Sequence, residues 1–331
     1  MGVTCETIIN TPPDGAFTPG SAVSGVVRYS IIDVPVKRIV ISLRGAGILN
    51  VTKGRYIGSY TNSEDYVNTA TFVNLNENDK SSGHVNTAQF QFQLPDNIPS
   101  SMIIKGQLEI ICNMLYNLRV EFVVSGRFSW NKVFEKDIKV VSTAIRPALS
   151  MTPLTRIETK KLFTVLSKKN NVKIKATIQS CVLRPGGRLE LAYEVENETN
   201  IDIISVETRL VEVYKYYDSN VSHAIAKVNK AVPNMQSKSA VVKSGESLKT
   251  RWEVDLPPNI YSIENSKMVI RSYACVLTTV LPVPHKNYHV VIPLQIGTWD
   301  DGGQSQSTTA GPSNEEPPPS YWLSTDNLNF E

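Results

Sequence analysis

The chain has 331 residues, 41% of them hydrophobic and 20% charged, with a formal net charge of +3. This is an ordinary globular composition, and the length suits two domains, since single cores seldom grow past about 250 to 300 residues. No apolar run approaches the roughly 18 residues of a membrane span, and the start lacks the pattern of a secretory signal, so the expectation is an intracellular protein. Cys5, Cys112, Cys181 and Cys275 are far apart with no CxxC pair, which reads as buried or free thiols rather than a zinc knuckle or a disulfide framework. The N-x-S/T positions at Asn50, Asn197 and Asn220 are then expected to be unused.

In chain order, the pattern is strand after strand. "RIVISLRG" alternates through Ile39, Ile41 and Leu43, "FQFQLP" through Phe90, Phe92 and Leu94, and "VKIKATI" through Val172, Ile174 and Ala176. "LELAYEVE", "ISVETRLVEVYKYY", "WEVDLP" and "YHVVIPLQIG" follow in the same style. No stretch keeps helical spacing for more than about two turns. Strands with one apolar face, separated by Pro, Gly and Asn turns, predict an all-β class built from sandwiches.

The pattern occurs twice. "FTPGSAVSGVVRYS" from Phe17 matches "LRPGGRLELAYEVEN" from Leu183, with Pro19 and Pro185 166 positions apart. "FQFQLPDNIPSS" matches "WEVDLPPNIYSI", with Leu94 and Leu256 162 positions apart. Two landmarks at nearly one offset predict two tandem copies of one sandwich of about 150 residues each. The expected divisions are an N-terminal sandwich at 1–145, a basic linker at 146–170, a C-terminal sandwich at 171–298 and a disordered acidic tail at 299–331.

Charge is uneven along this layout. From Trp299 onward the chain carries Asp300, Asp301, Glu315, Glu316, Asp326 and Glu331 with no lysine or arginine. Arg156, Lys160, Lys161, Lys168, Lys169, Lys173 and Lys175, by contrast, face a single acid, Glu158. Lys160, Lys161, Lys168 and Lys169 are the candidate contacts for an anionic surface, against the plainer reading of a solvated linker.

The Pro-Gly turn with Val23-Ser24-Gly25-Val26-Val27, the LP-x-x-I landmarks in both copies and the closing "VIPLQIGT" from Val291 to Thr298 resemble the arrestin fold, and within it the α-arrestins. The resemblance covers residues 1–298 and implies two immunoglobulin-like sandwiches, the arrestin N and C domains. Family members that bind thioredoxin do so through a cysteine in the second sandwich, the half that holds Cys181 and Cys275; no correspondence with either residue is assigned.

The tail then gains a reading. Pro318-Pro319-Ser320-Tyr321 is a PPxY motif, the ligand of WW domains. Paired prolines preset a polyproline II helix, so little entropy is lost on docking against an aromatic groove, and Tyr321, one turn on, offers its ring to a second pocket. The 20 residues from Thr298 to Pro318 span about 25 Å as a random coil, enough for a WW domain to dock clear of the body. The resemblance implies a non-enzymatic adaptor that brings WW-domain HECT-type ubiquitin ligases to membrane receptors or transporters. Ubiquitination, endocytosis and lysosomal sorting would follow, from a cytoplasmic pool recruited to plasma membrane and endosomes. This chain has one PPxY where many relatives have two or more. The alternative is a retromer-like cargo-sorting or coat subunit that acts through its sandwiches without a ligase.

Catalytic patterns are weak. Gly45-x-Gly47 resembles the start of a dinucleotide fingerprint, but Asn50 replaces the third glycine and no helix is predicted to follow, so the glycines are read as a strand-end turn. His285 and His289 have HxxxH spacing behind Pro282 and Pro284, which suits a hairpin end rather than a zinc site. No GxSxG or Walker motif occurs. Neither catalytic residues, a metal nor a cofactor is therefore expected. The basic stretch has only Phe163 for stacking bases, which speaks against nucleic acid as a partner.

Overall fold

The computed structural model describes residues 2–52, 59–75, 84–105, 110–125, 130–162, 170–218 and 223–300. They form two compact units. The first takes in Met1–Ser142, Tyr216–Ala226 and Asn265–Val269; the second takes in Thr143–Lys215, Lys227–Glu264 and Ile270 onward. The class is all-β, as expected: among the described residues there is no helix, hence none long and apolar enough to cross a membrane.

The first unit contains β1 (Gly2–Ile9), β2 (Ala22–Ile32), β3 (Val36–Thr52), β4 (Ser59–Val73), β5 (Asn86–Gln93), β6 (Met102–Lys105), β7 (Ile110–Val124) and β8 (Lys132–Ile138). One sheet has the order β1-β2-β5; the other runs β4-β3-β7-β6, with β8 also paired to β7. Alternation decides what each strand buries. Val23, Val27, Tyr29 and Ile31 of β2 meet Ile39, Ile41 and Leu43 of β3 and Leu118, Val120 and Phe122 of β7 in one core, closed by Phe90 and Phe92.

The second set of strands is β9 (Leu154–Lys161), β10 (Asn171–Ile178), β11 (Val182–Leu183), β12 (Arg188–Glu198), β13 (Ser205–Tyr217), β14 (Ala224–Lys238), β15 (Ser247–Asp255), β16 (Val269–Val280) and β17 (Tyr288–Ile296). They build a four-stranded sheet, β15-β12-β10-β9, and a five-stranded sheet, β11-β17-β16-β13-β14. The core between them joins Val172, Ile174 and Ala176 to Leu189, Leu191 and Val195, and to Tyr273, Cys275 and Leu277 of the facing sheet.

The internal duplication extends to single hydrogen bonds. Gly20 and Gly186 hold φ of 76° and 73°, the left-handed conformation that a Pro-Gly turn requires of its second residue. Leu94 N donates to Ser21 O at 3.0 Å, and Leu256 N donates to Gly187 O at 2.7 Å. Phe17 makes a parallel bridge to Val140, and Leu183 pairs in parallel with Ile296. In both copies the residue two before the proline thus runs parallel to the end of the unit's strands, Phe17 beside Val140 just past β8 and Leu183 beside Ile296 of β17.

Two readings of the sequence change. Gly45 and Gly47 are not in a turn at a strand end; they sit in the middle of the 17-residue β3, where Tyr116 and Val67 at Gly45, and Met268 and Tyr66 at Gly47, leave no room for a Cβ. Residues 154–161, read as part of a basic linker, form β9, paired along its whole length with β10. Its apolar signal is faint because β9 is an edge strand with half-exposed and exposed residues in alternation.

Candidate interaction surface

The lysines singled out from the sequence are divided by the period of the strand. Arg156, Glu158 and Lys160 point to one side of β9, and Ile157, Thr159 and Lys161 to the other. On the first side Arg156 Nη1 donates to Val291 O at 2.8 Å, and the Tyr288 hydroxyl donates to the Glu158 carboxylate. Lys160 Nζ lies over the Tyr288 ring, 5.6 Å from its centroid. Burial, with the Glu158 carboxylate beside it, pushes the Tyr288 phenol well above its usual range. Lys160 and Lys161 therefore do not share a face, and Lys168 and Lys169 lie outside the described residues.

The solvent face of the four-stranded sheet carries charge of both signs. The register sets Lys173 opposite Glu196, Lys175 opposite Glu194, and Glu194 opposite Lys249. Lys173 Nζ is 2.5 Å from Glu198 and 3.6 Å from Glu196, while Lys249 Nζ is 2.8 Å from Glu194. Hydrogen bonding to Glu198 holds the Lys173 ammonium above its ordinary pKa. At the far end Arg188 Nη2 is 2.5 Å from Glu253. Lys161, Lys173, Lys175, Arg188, Lys249 and Arg251 share this face with Glu190, Glu194, Glu196, Glu198, Glu253 and Asp255. A ladder of exposed ion pairs adds little to stability, and this one leaves no broad positive field.

One depression opens on this face, of about 320 Å³, lined by Lys175, Thr177, Ala192, Tyr193, Glu194, Lys249, Thr250 and Arg251. Ala192 forms its floor, with Thr177 on β10 and Arg251 on β15 as its register partners. Ile157, 69% exposed, is the register partner of Lys175 on the edge strand. The depression's three cations, Lys175, Lys249 and Arg251, stand around one acid, Glu194, which is ion-paired with Lys249, so an excess of two positive charges remains for an acidic or phosphorylated side chain.

The thiols are not displayed for exchange. Cys112, Cys181 and Cys275 are buried, and burial pushes them up to about 12, 11 and 12 respectively, while Cys5 is partly exposed. A thiol at about 11 is ionised to roughly one part in a thousand at pH 8, and only the thiolate is alkylated. Iodoacetamide followed by peptide mass spectrometry is therefore expected to label Cys5 first, with the other three roughly a hundredfold slower. Labelling of Cys181 at the rate of Cys5 would show that the second core opens readily.

The histidines divide as well. His285 lies in the connection after β16, where its N–H donates to Pro282 O at 2.9 Å, and His289 is on β17, with Nδ1 2.9 Å from Thr278 Oγ1. Desolvation, then the Arg209 charge, lowers the His289 pKa. Among the described residues no group of three or more His, Cys, Asp or Glu is placed to hold a metal ion. The PPxY residues Pro318, Pro319 and Tyr321 lie outside the described residues.

Sequence reasoning missed two polar hubs. Gln295, fully buried on β17, accepts from the N–H groups of Ala148 and Leu149 at 2.8 and 3.1 Å and donates to Arg146 O and Glu264, so it ties the entry segment to the last strand. Asn197, also buried, does the same for the loops after β12 and β14. A lone glutamine in "PLQIG" and a sequon asparagine were the only signals.

No curated protein matches the chain. Residues 168–300 match the family model described as the arrestin (or S-antigen) C-terminal domain, which supports an arrestin-family protein.

Proposed function

We propose that this chain is an adaptor of the α-arrestin kind, which uses the PPxY motif at Pro318, Pro319 and Tyr321 to recruit a WW-domain HECT-type ubiquitin ligase to membrane-protein cargo. The observation that carries this reading is the motif's position, after a segment that matches an arrestin C-terminal domain. Arrestin-family proteins are generally non-enzymatic adaptors, and the duplicated sandwich supports the same class. The proposed consequence is ubiquitination of the cargo, followed by endocytosis and lysosomal sorting, from a cytoplasmic pool that visits plasma membrane and endosomes.

The depression walled by Lys175, Lys249 and Arg251 is the proposed place for an acidic or phosphorylated segment of the cargo. Peripheral contact with an anionic membrane is proposed for Lys160, Lys161, Lys168 and Lys169, of which Lys161 is exposed and Lys160 is half-buried over the Tyr288 ring.

Calorimetric titration of the full chain with a panel of WW domains tests the reading, with Tyr321→Ala alongside. Binding of the parent chain with a loss of at least about tenfold in the variant is expected, because the ring fills its own pocket. No binding by the parent would remove the ligase and favour a sorting subunit.

A further inference from the structure

The solvent face of the larger sheet in the first unit carries an apolar patch with a fixed geometry. On β7, Ile111 and Leu115 stand two residues to either side of Asn113, on the same face. Directly across from Asn113 lie Ile48 on β3 and Ile103 on β6. These four aliphatic side chains form a rhombus with Asn113 at its centre, about 14 Å along the strand and about 10 Å across. They are 48% (Ile48), 61% (Ile103), 42% (Ile111) and 47% (Leu115) exposed, where a solvated sheet face ordinarily carries polar residues. The side-chain oxygen of Asn113 is covered and has no hydrogen-bond partner, and the same holds for Asn117, two positions beyond Leu115 in the same row.

We infer that this face binds a second copy of the chain, with a two-fold axis running parallel to β7 over Asn113 and Asn117. The argument is self-complementarity. A two-fold axis along the strand maps the rhombus onto itself, so Ile111 and Leu115 meet their own copies and Ile48 meets Ile103. A side-chain amide is both donor and acceptor, so an asparagine on the axis satisfies its own copy after a turn about χ2.

Charge agrees with the same axis. Asn117 has Arg44 as its register partner on β3 and Asp137 on β8. Both are exposed, and neither takes part in an ion pair among the described residues. The rotation exchanges the two flanks, which brings Arg44 of each copy against Asp137 of the other. Arg119, next in the row, keeps its own carboxylates, Glu121 and Glu135, both at 3.3 Å. The contact is smaller than the roughly 800 Å² per partner of a standard interface, so the dimer is a weak one. It would give each assembly two PPxY tails, and so let one adaptor pair hold tandem WW domains by effective concentration. The surface itself does not depend on that function.

Sedimentation velocity of the full chain, from about 5 to about 500 µM, is the test. The parent is expected to shift from monomer towards dimer across this range. Leu115→Asp is expected to stay monomeric throughout, with an unchanged thermal midpoint. Arg44→Asp and Asp137→Arg are each expected to weaken the dimer roughly tenfold, and the double variant, which swaps the charges, to restore it. A parent that is monomeric at every concentration overturns the proposal, as does a dimer that Leu115→Asp leaves intact or a double variant no better than the singles. A monomer that co-sediments with phosphatidylcholine/phosphatidylserine vesicles through Leu115 would assign the face to a membrane and overturn it too.

Discussion

Asn197→Leu is expected to destabilise the second unit by about 3 to 5 kcal/mol, a large part of the roughly 5 to 15 kcal/mol that holds a domain together. Asn197 is 1% exposed at the end of β12. Its Nδ2 faces three carbonyls, Ile201 O at 2.8 Å and Val242 O and Lys243 O at 3.1 Å each. Its Oδ1 accepts from Thr199 N at 3.2 Å and from Thr199 Oγ1 at 2.5 Å. One side chain therefore fixes the turn after β12 and the approach to β15. Leucine has nearly the same volume, so the packing term is small; what is lost is the amide's five hydrogen bonds, at about 0.5 to 1.5 kcal/mol each. Ile201 O, Val242 O and Lys243 O keep a second donor each, in Thr199 Oγ1, Ile203 N and Glu246 N, while Thr199 N is left without its acceptor. Urea unfolding of the two chains decides it: equal midpoints would mean that water replaces the amide without cost. The same geometry explains why the acceptor sequence Asn197-Glu198-Thr199 is unsuited to a glycan, since its amide nitrogen is already occupied and enclosed.

What the sequence revealed divides along physical lines. Apolar alternation is local, so Ile39, Ile41 and Leu43, or Val172, Ile174 and Ala176, could be assigned to a core before any strand was paired, and all six are buried. The Pro-Gly turns were legible because only glycine takes the left-handed conformation cheaply at Gly20 and Gly186. Cross-strand partners are another matter. The basic run from Arg156 to Lys175 looked like a patch because its countercharges, Glu194, Glu196 and Glu198, belong to the next strand of the sheet and lie about twenty residues further on. Arg156 and Lys160 stand on the other side of β9 from Lys161 for a simpler reason: neighbours on a strand point opposite ways, and no charge count records that. The rhombus around Asn113 was hidden likewise, since Ile48, Ile103, Ile111 and Leu115 come from three strands and read singly as ordinary β residues. The tail motif from Pro318 to Tyr321 lies outside the described residues, and its reading rests on the sequence and on the body that precedes it.

Gly45→Val is expected to cost the first unit at least about 3 kcal/mol, against the direction that strand propensity alone predicts. In a strand interior, glycine loses more entropy on folding than other residues, so its replacement by alanine should gain about 0.5 to 1 kcal/mol, and valine favours strands further. Space opposes this. A Cβ on Gly45 would lie 2.3 Å and 2.5 Å from Cδ1 and Cε1 of Tyr116 and 2.9 Å from Val67 Cγ1. Tyr116 is the register partner of Gly45 on β7, and its ring lies across the glycine. It cannot retreat, because its hydroxyl donates to Pro99 O at 2.7 Å and its ring stacks on Tyr66 with centroids 6.0 Å apart. The pairing of β3 with β4 already shifts register between Gly45 and Ala46, which leaves the backbone little freedom to move aside. Tyr116→Leu would remove the ring and its hydrogen bond, at a cost of its own, but would open the space that a Cβ at residue 45 needs. In a double-mutant cycle the pair Gly45→Val and Tyr116→Leu should therefore be less destabilised than the sum of the two single changes, by about 1 kcal/mol or more. Strictly additive energies would mean that the cost at Gly45 comes from the backbone and not from the ring. A stabilising Gly45→Val would mean that β7 shifts to accommodate the side chain, and that strand propensity governs the centre of this sheet after all.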